Sequence, residues 1–251
     1  MANKKEKPQQ LPNEDLQKML EEQSAVLELM KQGAAIEAAL EKVRARTMAM
    51  FKSEELNEVV FELFNQMKPL GFAQWGCTIM LADETNEGFN QWLSSPTDRI
   101  PRESFHVPKI NHPVFDKLLS VYTNQLPQLT IEVKGTEKYN WDLLWFEKTD
   151  FKKTPQSVKD SILVTSKVVF STVSLRYGLM IAIDDDPIPD KMIKILSRFA
   201  KVFEQTYTRF LDLQKAEAQA WEAKIQLAME RVRARTMAMQ RRRSNRAATT
   251  G

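Results

Sequence analysis

Four of the five tryptophans, Trp75, Trp92, Trp141 and Trp145, share the middle of this chain with its two histidines, His106 and His112, and its one cysteine, Cys77. Indole faces in a concave site could stack on a flat ligand. The same rings serve equally as core, because aromatic side chains dominate burial. A metal centre needs three or four ligands. Two histidines six residues apart match no standard zinc spacing and a single cysteine cannot complete one, so we expect no metal and read the histidines as a surface or capping pair. His106 has a second reading, as part of a ligand pocket after the third strand. Cys77 falls on the apolar face of a strand, where a thiol is buried and inert. Asp184–Asp186 could hold a cation, but before a long helix the run reads as a capping turn. No G-x-S-x-G, Walker A, G-x-G-x-x-G or H-E-x-x-H motif occurs, which argues against hydrolase and transferase chemistry. No catalytic residue and no cofactor is assigned.

The bulk numbers set the class. With 251 residues, 43% hydrophobic and 27% charged, the chain has room for one or two globular domains with a real core. The net charge of +3 is too small to imply nucleic acid. The excess is local: Arg231, Arg233, Arg235, Arg241, Arg242, Arg243 and Arg246 crowd the C-terminal end. They read as a solvated helix face and tail, or as a contact for an acidic partner or lipid. One cysteine allows no intrachain disulfide. Met1 leads into a polar stretch with no apolar run behind it, and nothing approaches the roughly 20 apolar residues of a membrane helix. The expected location is cytoplasmic.

These residues must be positioned by elements that the patterning sets out. Residues 1–12 are polar and expected to be disordered. Residues 13–50 are helical, with Gly33 a weak point. Ser53 followed by Glu54 and Glu55 marks a helix start, and Leu56, Val60, Leu63, Phe64 and Met67 line one face. A strand over 72–83, a hairpin loop at Glu84–Gly88 and a strand over 89–94 follow, then a short strand at 104–107. Helices are expected over 112–125, with Pro113 in the first turn, over 135–148 and over 155–162. A strand over 168–173 and another over 175–183 come next, the latter carrying Leu175, Tyr177, Leu179, Ile181 and Ile183 on one face. From Asp190 to about Gln240 no proline or glycine interrupts. Some 50 helical residues span roughly 75 Å, while a globule of about 150 residues is some 40 Å across. The helix overshoots its domain and calls for a partner helix, which implies a parallel dimer.

The chain also repeats itself. Residues 36–50 read IEAALEKVRARTMAM and residues 225–239 read IQLAMERVRARTMAM. Two copies 189 residues apart mark a modular chain. Ile36, Leu40, Val43, Thr47 and Met50 step by four and three, as a coiled-coil seam does. Ile225, Met229, Val232, Thr236 and Met239 repeat that seam. Both sets are expected at a dimer contact, and medium-sized residues such as threonine make the seam weak enough to switch.

On these residues the middle of the chain resembles a GAF domain, the small sensor module of bacterial signalling proteins. The stretch ILSRFAKVFEQTYTRFLDLQKAEAQA (195–220) and AMERVRARTMAM (228–239) resembles the arm that separates GAF-like modules in bacterial sensor histidine kinases. Glu230, Arg231 and Thr236 are similar to the signalling helix that links sensor to output. The resemblance covers about residues 36–240. It implies an α+β fold: a GAF-like six-stranded antiparallel sheet with helices on one side, flanked by long N- and C-terminal coiled-coil helices. It places the ligand pocket on the other face, under the segment after the third strand. Four strands and one short one are found in the pattern, and Gln128–Val133 is the candidate for the sixth. The cyclic-nucleotide signature of the family is absent, and Cys77 lies too early to attach a bilin.

The expected organisation is a tail at 1–12, a helical linker at 13–50, a GAF-like domain at 51–189, a signalling helix at 190–240 and a basic tail at 241–251. The tail reads as a truncated or frame-shifted end, or a cloning scar, because no kinase or cyclase motif follows. The expected function is a non-catalytic sensory or relay module that dimerises through its flanking helices and passes a ligand- or partner-induced change along the last one. Alternatives are a ligand-silent coiled-coil interaction protein, and the input region of a sensor histidine kinase or cyclase. Pocket candidates are Trp75, Trp92, His106, Trp141 and Trp145. The partners implied are a second copy and a downstream kinase or cyclase, without nucleic acid or membrane span, and an unidentified small ligand remains open.

Overall fold

The computed structural model describes residues 13–52, 55–72, 75–83, 87–95, 100–101 and 103–249, with side chains of residues 13, 14 and 240–249 left aside. The expected tail at 1–12, the Ser53–Glu54 cap and most of the 84–88 loop lie outside the described residues. The helices are α1 (Asn13–Met48), α2 (Leu56–Met67), α3 (Pro113–Thr123), α4 (Gly135–Lys148), α5 (Gln156–Val164) and α6 (Asp190–Thr249). The strands are β1 (Gly76–Ala82), β2 (Phe89–Ser94), β3 (Phe105–Val107), β4 (Gln128–Lys134), β5 (Lys167–Leu175) and β6 (Gly178–Asp184). Among the described residues no helix is long and apolar enough to cross a membrane.

The six strands form one sheet in the order β3-β2-β1-β6-β5-β4, and every neighbouring pair is antiparallel. The fold is α+β, with the six-stranded antiparallel sheet and the long flanking helices that were expected. The sixth strand is the one proposed at Gln128–Val133, extended to Lys134.

Helices were expected on one side of the sheet; they cover both faces, so most strand residues are buried whichever way they point. One face carries Cys77, Ile79, Leu81, Trp92, Val173, Met180 and Ala182 against α1, α2 and the first third of α6. The other carries Met80, Phe89, Val107, Ile131, Phe170, Leu179 and Ile181 against α3 and α4. Burying a large aliphatic or aromatic side chain stabilises by roughly 1.5–3 kcal/mol, so the two clusters pin the sheet between two helical layers.

The strand expected over 175–183 is a correction. The chain turns at Arg176–Tyr177, and Leu175 pairs with Gly178 across that turn. Leu175 and Tyr177 therefore belong to the α6 face, and Leu179 and Ile181 to the opposite face. The reason is Gly178: a Cβ there would stand 1.9 Å from the Met80 carbonyl oxygen. Only glycine lets β6 begin that close to β1.

α1 runs unbroken through Gly33. It lies parallel to α6, as its contacts show: Gln32 with Lys191, Glu37 with Arg198, Thr47 with Thr206 and the Met50 carbonyl with Arg209, all offset by 159 or 161 residues. The offset leaves the first half of α1 projecting at one end and α6 beyond about residue 212 projecting at the other. α6 has 60 residues, about 90 Å at 1.5 Å per residue.

The first seam is also a correction. Ile36, Leu40, Val43, Thr47 and Met50 are buried inside the chain, the first three in the layer built with α2 and α6 and Thr47 against Thr206 of α6. Four-and-three spacing marks an apolar face but does not say which helix covers it. Here the chain's own helices cover it.

Candidate functional site

Between the sheet and the α4–α5 layer lies a cavity of about 180 Å³, walled by Trp75, Met80, Trp141, Trp145, Phe151 and Phe170 with Gln91, Lys138 and Asp142. Its position follows from the strand alternation. Met80 and Gln91 are register partners and both point away from the α1–α2–α6 layer. Trp75 breaks the alternation that would have put it beside Cys77. Gly76 follows it at φ 153°, a conformation that a side chain resists, and the chain swings the indole to the cavity side.

α4 supplies the opposite wall. Its buried residues are Lys138, Trp141, Asp142 and Phe146, one helical face at steps of three, one and four. Trp141 and Trp145 lie with ring centroids 5.3 Å apart, and Trp141 meets Phe170 edge-on at 6.4 Å. His112 fixes this group from the side. Its Nδ1 accepts from the Val114 amide at 3.2 Å, capping α3, and its ring packs 5.4 Å from Trp141. The capping reading of His112 holds.

The polar groups are few and buried. Lys138 Nζ donates to Asp142 Oδ2 at 2.5 Å and to the Ile162 carbonyl at 2.7 Å. Their side chains are 3% and 9% exposed, so the pair ties α4 to the end of α5 in a low-dielectric wall. Burial pushes the Asp142 carboxyl above the ordinary carboxylate range, against the lowering effect of Lys138. Gln91 is 2% exposed, and its side-chain oxygen has no hydrogen-bond partner among the described residues. An unmade hydrogen bond of this kind costs about 1–3 kcal/mol.

Of the five pocket candidates, Trp75, Trp141 and Trp145 line the cavity. Trp92 is on the opposite face, packed in the α1–α2–α6 layer, with Nε1 donating to Asn57 Oδ1 at 2.8 Å. It is core. His106 lies on β3 outside the cavity, its Nε2 3.0 Å from Asp83 Oδ2. The second seam, Ile225, Met229, Val232, Thr236 and Met239, is exposed on α6, as are Arg231, Arg233 and Arg235.

Cys77 is buried and free. Burial, and secondarily the charge of Asp184, raises its thiol far above the ordinary range. Asp186 pairs with Lys167 at 2.6 Å. No group of three or more His, Cys, Asp or Glu placed to hold a metal occurs among the described residues.

Pattern reading missed Gln91, Lys138 and Asp142. The last two carried a signal, opposite charges four apart on a helix, but that signal ordinarily marks a solvated face. Gln91 carried none, because β2 is covered on both sides.

No family model matches the chain, and no curated protein matches it. Among solved structures it is similar to residues 122 to 287 of a methyl-accepting chemotaxis protein, at 13% identity and a TM-score of 0.43, over 69% of this chain and 98% of that one. It is also similar to the phycoerythrobilin-bound GAF domain of a cyanobacterial phytochrome, at 12% identity and a TM-score of 0.39, over 69% of this chain and 96% of that one.

Proposed function

We propose that this chain is a non-catalytic sensory or relay module whose cavity takes a small, flat, mostly apolar ligand bearing one hydrogen-bond donor. The observation that carries the reading is the Gln91 side-chain oxygen, buried and unpartnered on the wall of an aromatic cavity. A cavity near 150 Å³ accepts a benzene-sized molecule, so this one suits a one- or two-ring compound. An N–H or O–H on that ring would satisfy Gln91, while the indoles of Trp75, Trp141 and Trp145 supply the contact area.

The relay rests on β6. Leu179 and Ile181 stand on the cavity side, while Met180 and Ala182 between them pack in the layer that contains α6. Occupancy that tightens the α4 wall would bias the sheet, and the sheet is the floor on which α6 lies, with α1 packed on α6 and α2. A shift of α6 would then be read far from the cavity. Dimerisation belongs to this reading through the exposed stripe Leu16, Met19, Leu20, Val26, Leu27 and Met30 on α1, with a kinase or cyclase as downstream output and the cytoplasm as location.

Indole and indene test the reading, since they differ in the N–H. Indole is expected to raise the melting temperature of the full chain and indene to do so less. In Gln91→Leu the difference between them should vanish, and the empty protein should be no less stable than the parent. If no aromatic donor of this size stabilises the chain, the ligand-silent coiled-coil protein becomes the better reading.

A further inference from the structure

The two copies of the repeat have opposite surroundings. In the first, Ile36, Ala39, Leu40 and Val43 are buried against α2 and α6, Thr47 is buried on Thr206 of α6, and Met50, just past the end of α1, is buried too. Their counterparts Ile225, Ala228, Met229, Val232, Thr236 and Met239 are all exposed. Yet five of these six pairs are identical residues. Over the fifteen positions the copies differ only as Glu37/Gln226, Ala38/Leu227, Leu40/Met229 and Lys42/Arg231. Glu37, Ala38 and Lys42 are exposed in the first copy, and Leu for Met is a swap of nearly equal volume. The second copy therefore keeps a face built for burial.

The retained face is wider than a two-stranded seam. Ala39 lies off the four-and-three steps but is 5% exposed, because the first copy sits against two helices rather than one. Its counterpart is again alanine, Ala228, which with Met229, Val232 and Arg233 forms a shallow apolar groove. A symmetric pair of helices would have no need of alanine there.

The polar groups agree. Thr47 Oγ1 donates to the Val43 carbonyl at 2.9 Å and meets Thr206 Oγ1 at 2.6 Å. Thr236 repeats the local bond, to the Val232 carbonyl at 3.0 Å, and has no cross-helix partner among the described residues. Arg46 reaches Glu55 and Glu58 at the start of α2. Its counterpart Arg235 is exposed.

We infer that residues 225–239 are a docking face for a second α2–α6 helix pair of the kind this chain itself carries. In that complex Thr236 faces a threonine placed like Thr206, and Arg235 faces carboxylates placed like Glu55 and Glu58. α6 is then one helix serving two units: its first third closes this domain, and its distal part is the α1 of another. The inference does not depend on the cavity having a ligand.

Two experiments on the full chain test it. The variant E37Q/A38L/L40M/K42R writes the second copy into α1; its melting temperature should stay within about 5 °C of the parent, and a loss of more than about 10 °C overturns the equivalence. The second experiment is disulfide trapping with glutathione disulfide. V43D/T206C, whose own α1 is undocked by a charge in the buried face, is mixed with T236C. A cross-link between positions 206 and 236 should form roughly tenfold more than with T206C alone as acceptor, since the undocking removes well over 1.4 kcal/mol of competition. Where V43D fails to fold, V43A/T206C makes the same comparison. Cross-linking mainly between two copies of position 236 would establish symmetric pairing and overturn the inference, as would the lack of any 206–236 product.

Discussion

Thr47 and Thr206 meet hydroxyl to hydroxyl at 2.6 Å, fully inside the protein, across 159 residues of sequence. Each oxygen also lies within bonding distance of its own helix, Thr47 to the Val43 carbonyl and Thr206 to the Val202 carbonyl at 3.1 Å. Two hydroxyls have two protons for three acceptors' worth of bonds, so one threonine donates across the helices and the other donates backwards. The pair fixes the register of α1 on α6.

A double-mutant cycle should expose that coupling. T206V alone is expected to lower stability by about 1–2 kcal/mol, because it strips a partner from a buried hydroxyl. T47V/T206V should cost less than the sum of the single changes, since valine replaces both members with the same shape. Urea unfolding of the four proteins measures the difference; strict additivity would show that the contact does not couple the helices.

Glycine substitutions should go in opposite directions at two places. Gly178→Ala drives a methyl into the Met80 carbonyl of β1 and should destabilise by about 3 kcal/mol or more, by prising apart the central strand pair. Gly33→Ala meets no heavy atom within 4 Å in the middle of α1, and should stabilise by about 0.5–1 kcal/mol. Thermal melts of the two variants check both signs.

The buried Asp142 should leave a mark on the pH profile. Its carboxyl titrates above the ordinary value in the folded chain, so the folded state holds a proton that the unfolded state has already lost. The associated stability is present below the unfolded value, about 4, and falls as pH rises through the raised folded value. Measured from pH 4 upward, the parent should lose stability relative to Asp142→Asn over that window. A parent that gains on the variant would reverse the assigned direction.

Cys77 should be chemically silent. With its thiol buried and held protonated by that burial, it should resist iodoacetamide at pH 8 in the folded chain and react fully in denaturant. Labelling at the rate of a free thiol without denaturant would mean that the layer between the sheet and α2 opens readily.

How much was legible follows from what sets each feature. Local patterning determined the helices and most strands. Proline at the start of α3, the uninterrupted run of α6 and the alternation of β1 are short-range properties, and they carried the α+β class and the projecting C-terminal helix. Where two strands meet across Arg176–Tyr177, no glycine or asparagine sits in the turn itself, and the break was invisible until Gly178 was seen against Met80. The tryptophans could be named as a group but not sorted, because β1 and β2 are buried on both faces: Trp75 turned to the cavity at Gly76, and Trp92 stayed in the opposite layer.

The sequence by itself determined that 36–50 and 225–239 carry the same apolar face, because a helix's period writes that face into residue spacing. What covers each copy was decided only by the tertiary structure, since burial depends on which helices the chain brings alongside, over separations that no local pattern records. The same holds for the cavity. Gln91, Lys138 and Asp142 are ordinary polar residues until the sheet and α4 close over them, and only desolvation makes an unpartnered amide oxygen and a buried ion pair into features a ligand could answer.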